Sequence, residues 1–244
     1  MHLPFLSAEQ VHAALEDRAL IEALREAFRV GCTAPLRHSH SVGPEGERLL
    51  LMPAWQKGVS VGVKLVTVFP GNRARGVPTV GALYVLLDGE TGHPQALIDG
   101  EALTLRRTAA ASALAAGYLA RADSRRLLVV GTGALAPHMA RAHCAARPME
   151  AVMVWGRRAE RAQAMAAELV RAGLPARAVD DLDAALAQAD IVTCATTASG
   201  TAAARCRGAS RHALRPGWRI HPADARGRRR ADGARRGLCR YLRR

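Results

Sequence analysis

Residues 127–143, LLVVGTGALAPHMARAH, run four apolar residues straight into Gly-Thr-Gly and then into a helix-like pattern. A glycine turn alone decides little, since glycine ends many strands. Here it follows a predicted strand and opens a predicted helix, as a G-x-G-x-x-A fingerprint should, so that backbone N–H groups of Gly131-Thr132-Gly133-Ala134-Leu135-Ala136 can approach a pyrophosphate at a helix N-terminus. The next strand ends in Val154-Trp155-Gly156-Arg157-Arg158. A site preferring NADH wants an acid there for the ribose 2′-hydroxyl, whereas paired arginines suit a 2′-phosphate. The stretch therefore reads as a dinucleotide loop, with NADPH favoured over NADH. The plainer reading of the two arginines is that they begin a solvated helix.

Working outward, strand and helix alternate from residue 126: strand 126–130, helix to about 146, strand 151–156, helix 158–172, a short strand at 176–179, helix 181–188 and strand 190–196. That alternation predicts a Rossmann-type, doubly wound parallel sheet. Upstream, Ser7-Ala8-Glu9-Gln10 has the form of a capping box ahead of helices at about 8–16 and 18–29, with Leu20, Ile21, Leu24 and Phe28 as the buried stripe. Segments 49–54, 59–69 and 80–88 are rich in Val and Leu and separated by Pro/Gly turns, so they read as strands of a mixed sheet. An Ala/Leu-rich helix at 101–120 follows, ending at Arg121-Ala122-Asp123-Ser124, which reads as a hinge. The expected organisation is an α/β chain: an α+β substrate and dimerisation domain at 1–120, an incomplete dinucleotide-binding domain at 121–199, and an arginine-rich tail at 200–244.

No apolar run approaches the roughly 20 residues that cross a bilayer, and the N-terminus has neither a basic start nor a small-residue cleavage site. Cys32, Cys144, Cys194, Cys206 and Cys239 show neither metal-ligand spacing nor a disulfide framework, so a reducing cytoplasm is expected. The net charge of +14 would ordinarily suggest nucleic acid, but +12 of it lies in residues 201–244, which hold fourteen arginines, no lysine, and only Asp224 and Asp232 as acids. With few aromatics for stacking and no binding motif, that tail gives no reason to expect a nucleic-acid partner.

Chemistry must come from the first domain. Lys64 sits inside the apolar run VGVKLVTVF, where a strand lysine commonly just snorkels outward. Arg106-Arg107 lie near a predicted helix start, where the macrodipole disfavours cations, which hints that they face an anion. His38 and His40 are loop histidines without a companion cluster, so no metal is expected.

Together, GVKLVTVFPGN, GVPTVGALYVLLDGETGHPQALIDG, LTLRRTAAASALAAGYLAR and LLVVGTGALAPHMARAH resemble, in this order and over roughly residues 5–199, the ornithine cyclodeaminase/mu-crystallin family of dinucleotide-dependent enzymes. The Arg-Arg pair and the GTGxLAPH loop look closest to members that reduce cyclic ketimines such as Δ1-pyrroline-2-carboxylate to L-proline. The resemblance implies that Arg37 and Arg107 clamp the substrate carboxylate, that Lys64 contacts the reacting carbon and nitrogen, and that Thr79 lies near substrate and nicotinamide. It implies a cofactor set of Gly131, Thr132, Gly133, Ala134, Leu135, Arg157, Arg158 and Thr196, a small cyclic imino acid or amino acid as substrate, and a homodimer formed through the first domain. Leu135, where cyclodeaminases commonly carry Gln, and Val80-Gly81, where several members have His-Gln, weigh against ornithine deamination. Cyclodeamination of ornithine and a non-catalytic, crystallin-like NADPH-binding role are the alternatives.

The resemblance stops after Ser199, and the tail reads as an out-of-frame translation. Codons exist for Gly200 to Arg205 that, read one base later, give Glu-Pro-Leu-Leu-Arg, as relatives continue. The same offset lets residues 215–232 encode DLVGGFTPRTREADDA, and lets GLCRY encode ACVDT. On this reading the sheet lacks its last strands, the outer edge is unpaired, and the chain is unstable or inactive.

Overall fold

The computed structural model describes residues 3–195 and, for the backbone alone, 219–220. Thr196 and nearly all of the 200–244 tail lie outside the described residues. Among those described, no helix is long and apolar enough to cross a membrane.

The chain divides into two compact units, one holding residues 3–16 and 26–104, the other 17–25 and 105–195 with strand 219–220. The first begins with β1 (Phe5–Leu6) and α1 (Ala8–Ala14). Ser7 caps α1: its hydroxyl accepts the Gln10 N–H while the Gln10 side chain accepts the Ser7 N–H, the reciprocal pair expected from the sequence. The helix α2 (Asp17–Val30) follows, shared between the units. Strands β2 (His38–Ser41), β3 (Arg48–Gln56), β4 (Ser60–Val68), β5 (Val80–Asp88) and β6 (Pro94–Asp99) then form an antiparallel meander, with β1 added parallel to β6, giving the order β1-β6-β5-β4-β3-β2. The mixed sheet was expected; β1, β2 and β6 extend it beyond the three predicted strands. A 3-10 turn, Pro70–Arg75, links β4 to β5.

The helix α3 (Gly100–Leu119) opens on Asp99, whose carboxylate accepts the Ala102 N–H. From Leu105 onward α3 belongs to the second unit, so the predicted boundary at 120/121 moves to 104/105. The reason is the small-residue face of α3. Ala109, Ala110, Ala113 and Leu114 pack with Ile21 of α2 and with Met139 and Ala142 of α4 (Leu135–Ala146) in one buried cluster. Leu20 and Leu24 flank it, but Phe28, expected in the same stripe, is exposed. The predicted hinge at 121–124 is also fastened: the Arg147 guanidinium donates to the carbonyls of Arg121 and Ala116, and Ser124 N–H to Arg121 O.

The second sheet consists of β7 (Arg126–Val130), β8 (Ala151–Trp155), β9 (Ala176–Ala178), β10 (Ile191–Cys194) and β11 (Arg219–Ile220), with α5 (Ala159–Arg171) and α6 (Leu182–Gln188) as crossovers. All its pairings are parallel. Leu127, Leu128, Val129 and Val130 are fully buried because both faces are covered: Leu127 and Val129 pack with Ala136, Ala140, Ala162 and Leu169, while Leu128 and Val130 pack with Leu182 and Ala185. Each such side chain contributes about 1.5–3 kcal/mol of burial. The expectation of a bare outer edge is corrected here, since residues 219–220 pair with Val192 and Thr193 of β10. Two residues of tail backbone can do this because a ladder needs only N–H and C=O groups in register.

Candidate functional site

The strand order β9-β8-β7-β10-β11 reverses direction between β7 and β10. In open parallel sheets, ligands bind at such a reversal, outside the carboxyl ends of the strands. Three segments follow those ends: Gly131–Ala134 after β7, Gly156–Arg158 after β8, and Ala195 after β10. Gly131 has φ +120°, which favours glycine, and its N–H donates to Trp155 O at 2.8 Å, tying the first two segments together. A Cβ on Gly156 would stand 2.7 Å from Thr132 Cγ2, so Gly156 must be bare for Thr132 to lie where it does. At Gly133, by contrast, the nearest described atom to an added Cβ is Ala195 O, at an ordinary 3.7 Å. Packing within the described chain does not demand glycine there, and a bare Cα leaves room for close approach of a ligand.

Ala134 precedes α4 without a side-chain cap, and the first turn of α4 holds no acid. The Ala136 N–H already donates to Gly133 O at 2.9 Å and Pro137 has no N–H, so what the helix start offers an anion is chiefly its positive dipole end. Arg157 and Arg158 are exposed, and neither has a carboxylate partner among the described residues. Loop, helix start and paired guanidinium groups fit a dinucleotide carrying an additional phosphate. Thr196, the remaining residue of the predicted cofactor set, lies outside the described residues.

In the first unit, Lys64 is half-buried on β4, opposite Met52 of β3 and Tyr84 of β5. Its Nζ donates to Thr104 Oγ1 at 3.4 Å, and Thr104 Oγ1 donates to Gly100 O at 2.6 Å. Tyr84 leans along the same sheet face until its hydroxyl overlies Gly62, where any Cβ would collide with it. Burial pushes the Tyr84 phenol above its ordinary pKa. Thr79 closes the β4–β5 connection: its carbonyl accepts the Phe69 N–H at 2.8 Å, and Asn72 Nδ2 donates to the neighbouring Pro78 carbonyl at 2.9 Å. Arg37 is exposed, immediately before β2. His38 and His40 stand exposed on the edge strand, their ring centroids 6.3 Å apart. No group of three metal-ligating side chains occurs among the described residues.

The arginine pair separates. Arg106 is buried on α3 and bonds Asp17 at 3.0 Å, so the anion it faces is structural, whereas Arg107 is exposed. Arg37, Lys64 and Thr79 therefore fall in the first unit and Arg107 in the second. Thr104, the hydroxyl that meets Lys64, was not singled out by sequence reasoning. Its only sequence signal is its place in LTLRRT, a threonine in the first turns of a helix. Deeper in the second unit, His143 bonds Ser112 at 3.2 Å and burial lowers its pKa to about 4, while burial raises the Cys144 thiol to about 11. His143 is fully buried and Cys144 partly buried, both on α4.

A model of the ornithine cyclodeaminase/mu-crystallin family matches residues 3–221. The chain is 42% identical over 197 residues to Δ1-pyrroline-2-carboxylate reductase of Paracoccus denitrificans, a match covering 80% of this chain and 61% of the relative. The solved structure of Thermococcus litoralis Δ1-pyrroline-2-carboxylate reductase with NADH and L-proline superposes with a TM-score of 0.73 at 31% identity, covering 80% of this chain and 62% of that one. An archaeal alanine dehydrogenase dimer with bound NAD gives a TM-score of 0.72 at 29% identity, covering 80% and 61%. The chain thus spans about three-fifths of the length of these relatives.

Proposed function

The chain belongs to the ornithine cyclodeaminase/mu-crystallin family, and from that premise we propose that it serves an NAD(P)H-dependent reduction of a cyclic ketimine such as Δ1-pyrroline-2-carboxylate to L-proline. The observation that carries this reading is the open Gly131–Leu135 loop at the point where the parallel sheet reverses. Gly131, Thr132, Gly133, Ala134 and Leu135 hold the pyrophosphate, with Thr196 as a further member of the set. Arg157 and Arg158 hold a 2′-phosphate, favouring NADPH, although the reductase of Thermococcus litoralis is solved with NADH.

The chemistry required of the protein is modest. Arg37 and Arg107 bind the ring carboxylate through charge-assisted hydrogen bonds and so fix the position of the C=N bond. Lys64 supplies or holds the proton at the imine nitrogen, because an iminium accepts hydride far more readily than a neutral imine. Thr79 borders substrate and cofactor on a connection held by Asn72. When bound, the reduced nicotinamide supplies the hydride. Leu135, in place of the Gln common in cyclodeaminases, and Val80-Gly81, in place of the His-Gln of several family members, favour reduction over ornithine cyclisation.

The active assembly is a homodimer built on the first unit. Leu51, Val63, Leu65, Leu83 and Val85 line up in register on the sheet face opposite Lys64, and all are only half-buried. A second copy would cover them. Cys32 and Cys144, which form no disulfide among the described residues, suit a reducing cytoplasm. A panel of cyclic imines assayed with NADPH and NADH tests the function. Consumption of reduced cofactor with a five-membered ketimine acid is expected. Ammonia release from ornithine without imine reduction would favour the cyclodeaminase alternative, and tight NADPH binding without turnover the crystallin-like one.

A further inference from the structure

We propose that Thr104 is the positioning residue for Lys64; this rests on the reading of Lys64 as the group that handles the imine proton. A threonine hydroxyl has one proton and two lone pairs. The Thr104 proton is committed to Gly100 O, four residues back on α3, at 2.6 Å. What remains towards Lys64 Nζ at 3.4 Å is acceptor capacity alone. The bond back to the helix also fixes χ1 of a side chain already stiff from branching at Cβ. The start of α3 thus presents a rigid acceptor to an amine carried on a flexible four-carbon stem. A neutral hydroxyl, unlike a carboxylate, steadies the amine without neutralising its charge, so the proton remains transferable. Tyr84, lying along the sheet over Gly62, fills the same face beside Lys64.

The sequence supplies a clean test, because Lys57 and Lys64 are the only lysines in the 244 residues. Trace acetylation of the whole chain across a pH series, read by peptide mass, gives each amine its own titration midpoint, with exposed Lys57 as the internal reference. An acceptor favours the charged amine, so removing it lowers the midpoint. Thr104→Val and Thr104→Ala are each expected to lower the Lys64 midpoint by about one pH unit, roughly a tenfold change in the protonation equilibrium, with Lys57 unmoved. Thr104→Ser is expected to restore the wild-type value. Alanine, the strongest helix former, preserves α3 if valine does not. An unmoved Lys64 midpoint in the hydroxyl-free variants, or a shift in T104S as large as in T104A, overturns the proposal. Imine turnover is read separately: kcat should fall at least about tenfold with KM little changed. A chain that turns over no imine would sink the catalytic reading, while the labelling midpoints would still decide the role of Thr104.

Discussion

Removing the carboxylate of Asp17 should unfold the second unit far more readily than removing Arg107, although Arg107 belongs to the proposed site and Asp17 does not. The Arg106–Asp17 pair is short, at 3.0 Å, and its side chains are 7% and 16% exposed. Breaking a buried pair by deleting one partner costs about 3–5 kcal/mol, because the other charge is left in low dielectric. The two single changes should differ. Asp17→Asn removes the carboxylate 3.0 Å from the deeper Arg106 guanidinium, so about 3 kcal/mol is expected. Arg106→Met leaves Asp17 with Arg141 at 3.9 Å and some solvent, so about 2 kcal/mol is a fair expectation. The double change Asp17→Asn with Arg106→Met removes both charges and should recover about half of the summed loss, a coupling of about 2–3 kcal/mol. For a chain of this size 1 kcal/mol moves Tm by about 2–4 °C, so Asp17→Asn should lower Tm by roughly 6–12 °C. Arg107→Ala should move Tm by less than about 2 °C while cutting kcat/KM at least about 100-fold. Differential scanning fluorimetry and imine-dependent NADPH oxidation measure the two effects. Additive losses at Asp17 and Arg106, or a large drop in Tm for Arg107→Ala, would refute the division of the arginine pair into a structural and a functional member.

Replacing both Arg157 and Arg158 with Ala removes two charge-assisted contacts to a 2′-phosphate, each worth about 1.5–3 kcal/mol, so titration calorimetry should show a strong loss of NADPH affinity with NADH nearly unchanged; equal losses would reject the 2′-phosphate assignment. His143 titrates near 4 in the folded chain against 6.5 when free, so the folded state binds fewer protons than the unfolded state between those values. Stability contributed by the neutral ring is complete above about pH 6.5 and declines as pH falls towards 4, by about 3 kcal/mol in all. Denaturant titrations of wild type and His143→Gln over that window should differ in slope by about one proton, and identical slopes would contradict the assignment. At the level of DNA, resequencing across codons 199–200 should reveal a single-base discontinuity restoring Glu-Pro-Leu-Leu-Arg; a verified uninterrupted frame to codon 244 with a soluble, active product would disprove it.

Local chemistry determined much of this protein in advance. The change from a short buried apolar run to helical spacing across Gly131-Thr132-Gly133 announced β7, the loop and α4, because each strand must be covered on both faces and each crossover must be a helix. The capping box at Ser7 and Gln10 was equally legible, since both partners lie within one turn. Contacts distant in sequence were not. Arg106 and Arg107 are neighbours about 100° apart around α3, and no pattern in LTLRRT says which of them will meet Asp17, nearly ninety residues upstream. Nothing in VGVKLVTVF separates Lys64 from a snorkelling lysine; Thr104, forty residues away, is what meets its amine. The unit boundary falls inside a continuous helix, at 104/105, because the alanine face of α3 finds its partners on α2 and α4. Likewise, β11 pairs with β10 through backbone groups that any sequence carries, so nothing in its side chains foretold it. Sequence fixes periodicity and turns, which depend on neighbours along the chain; which buried charge finds which partner is settled only when the elements pack.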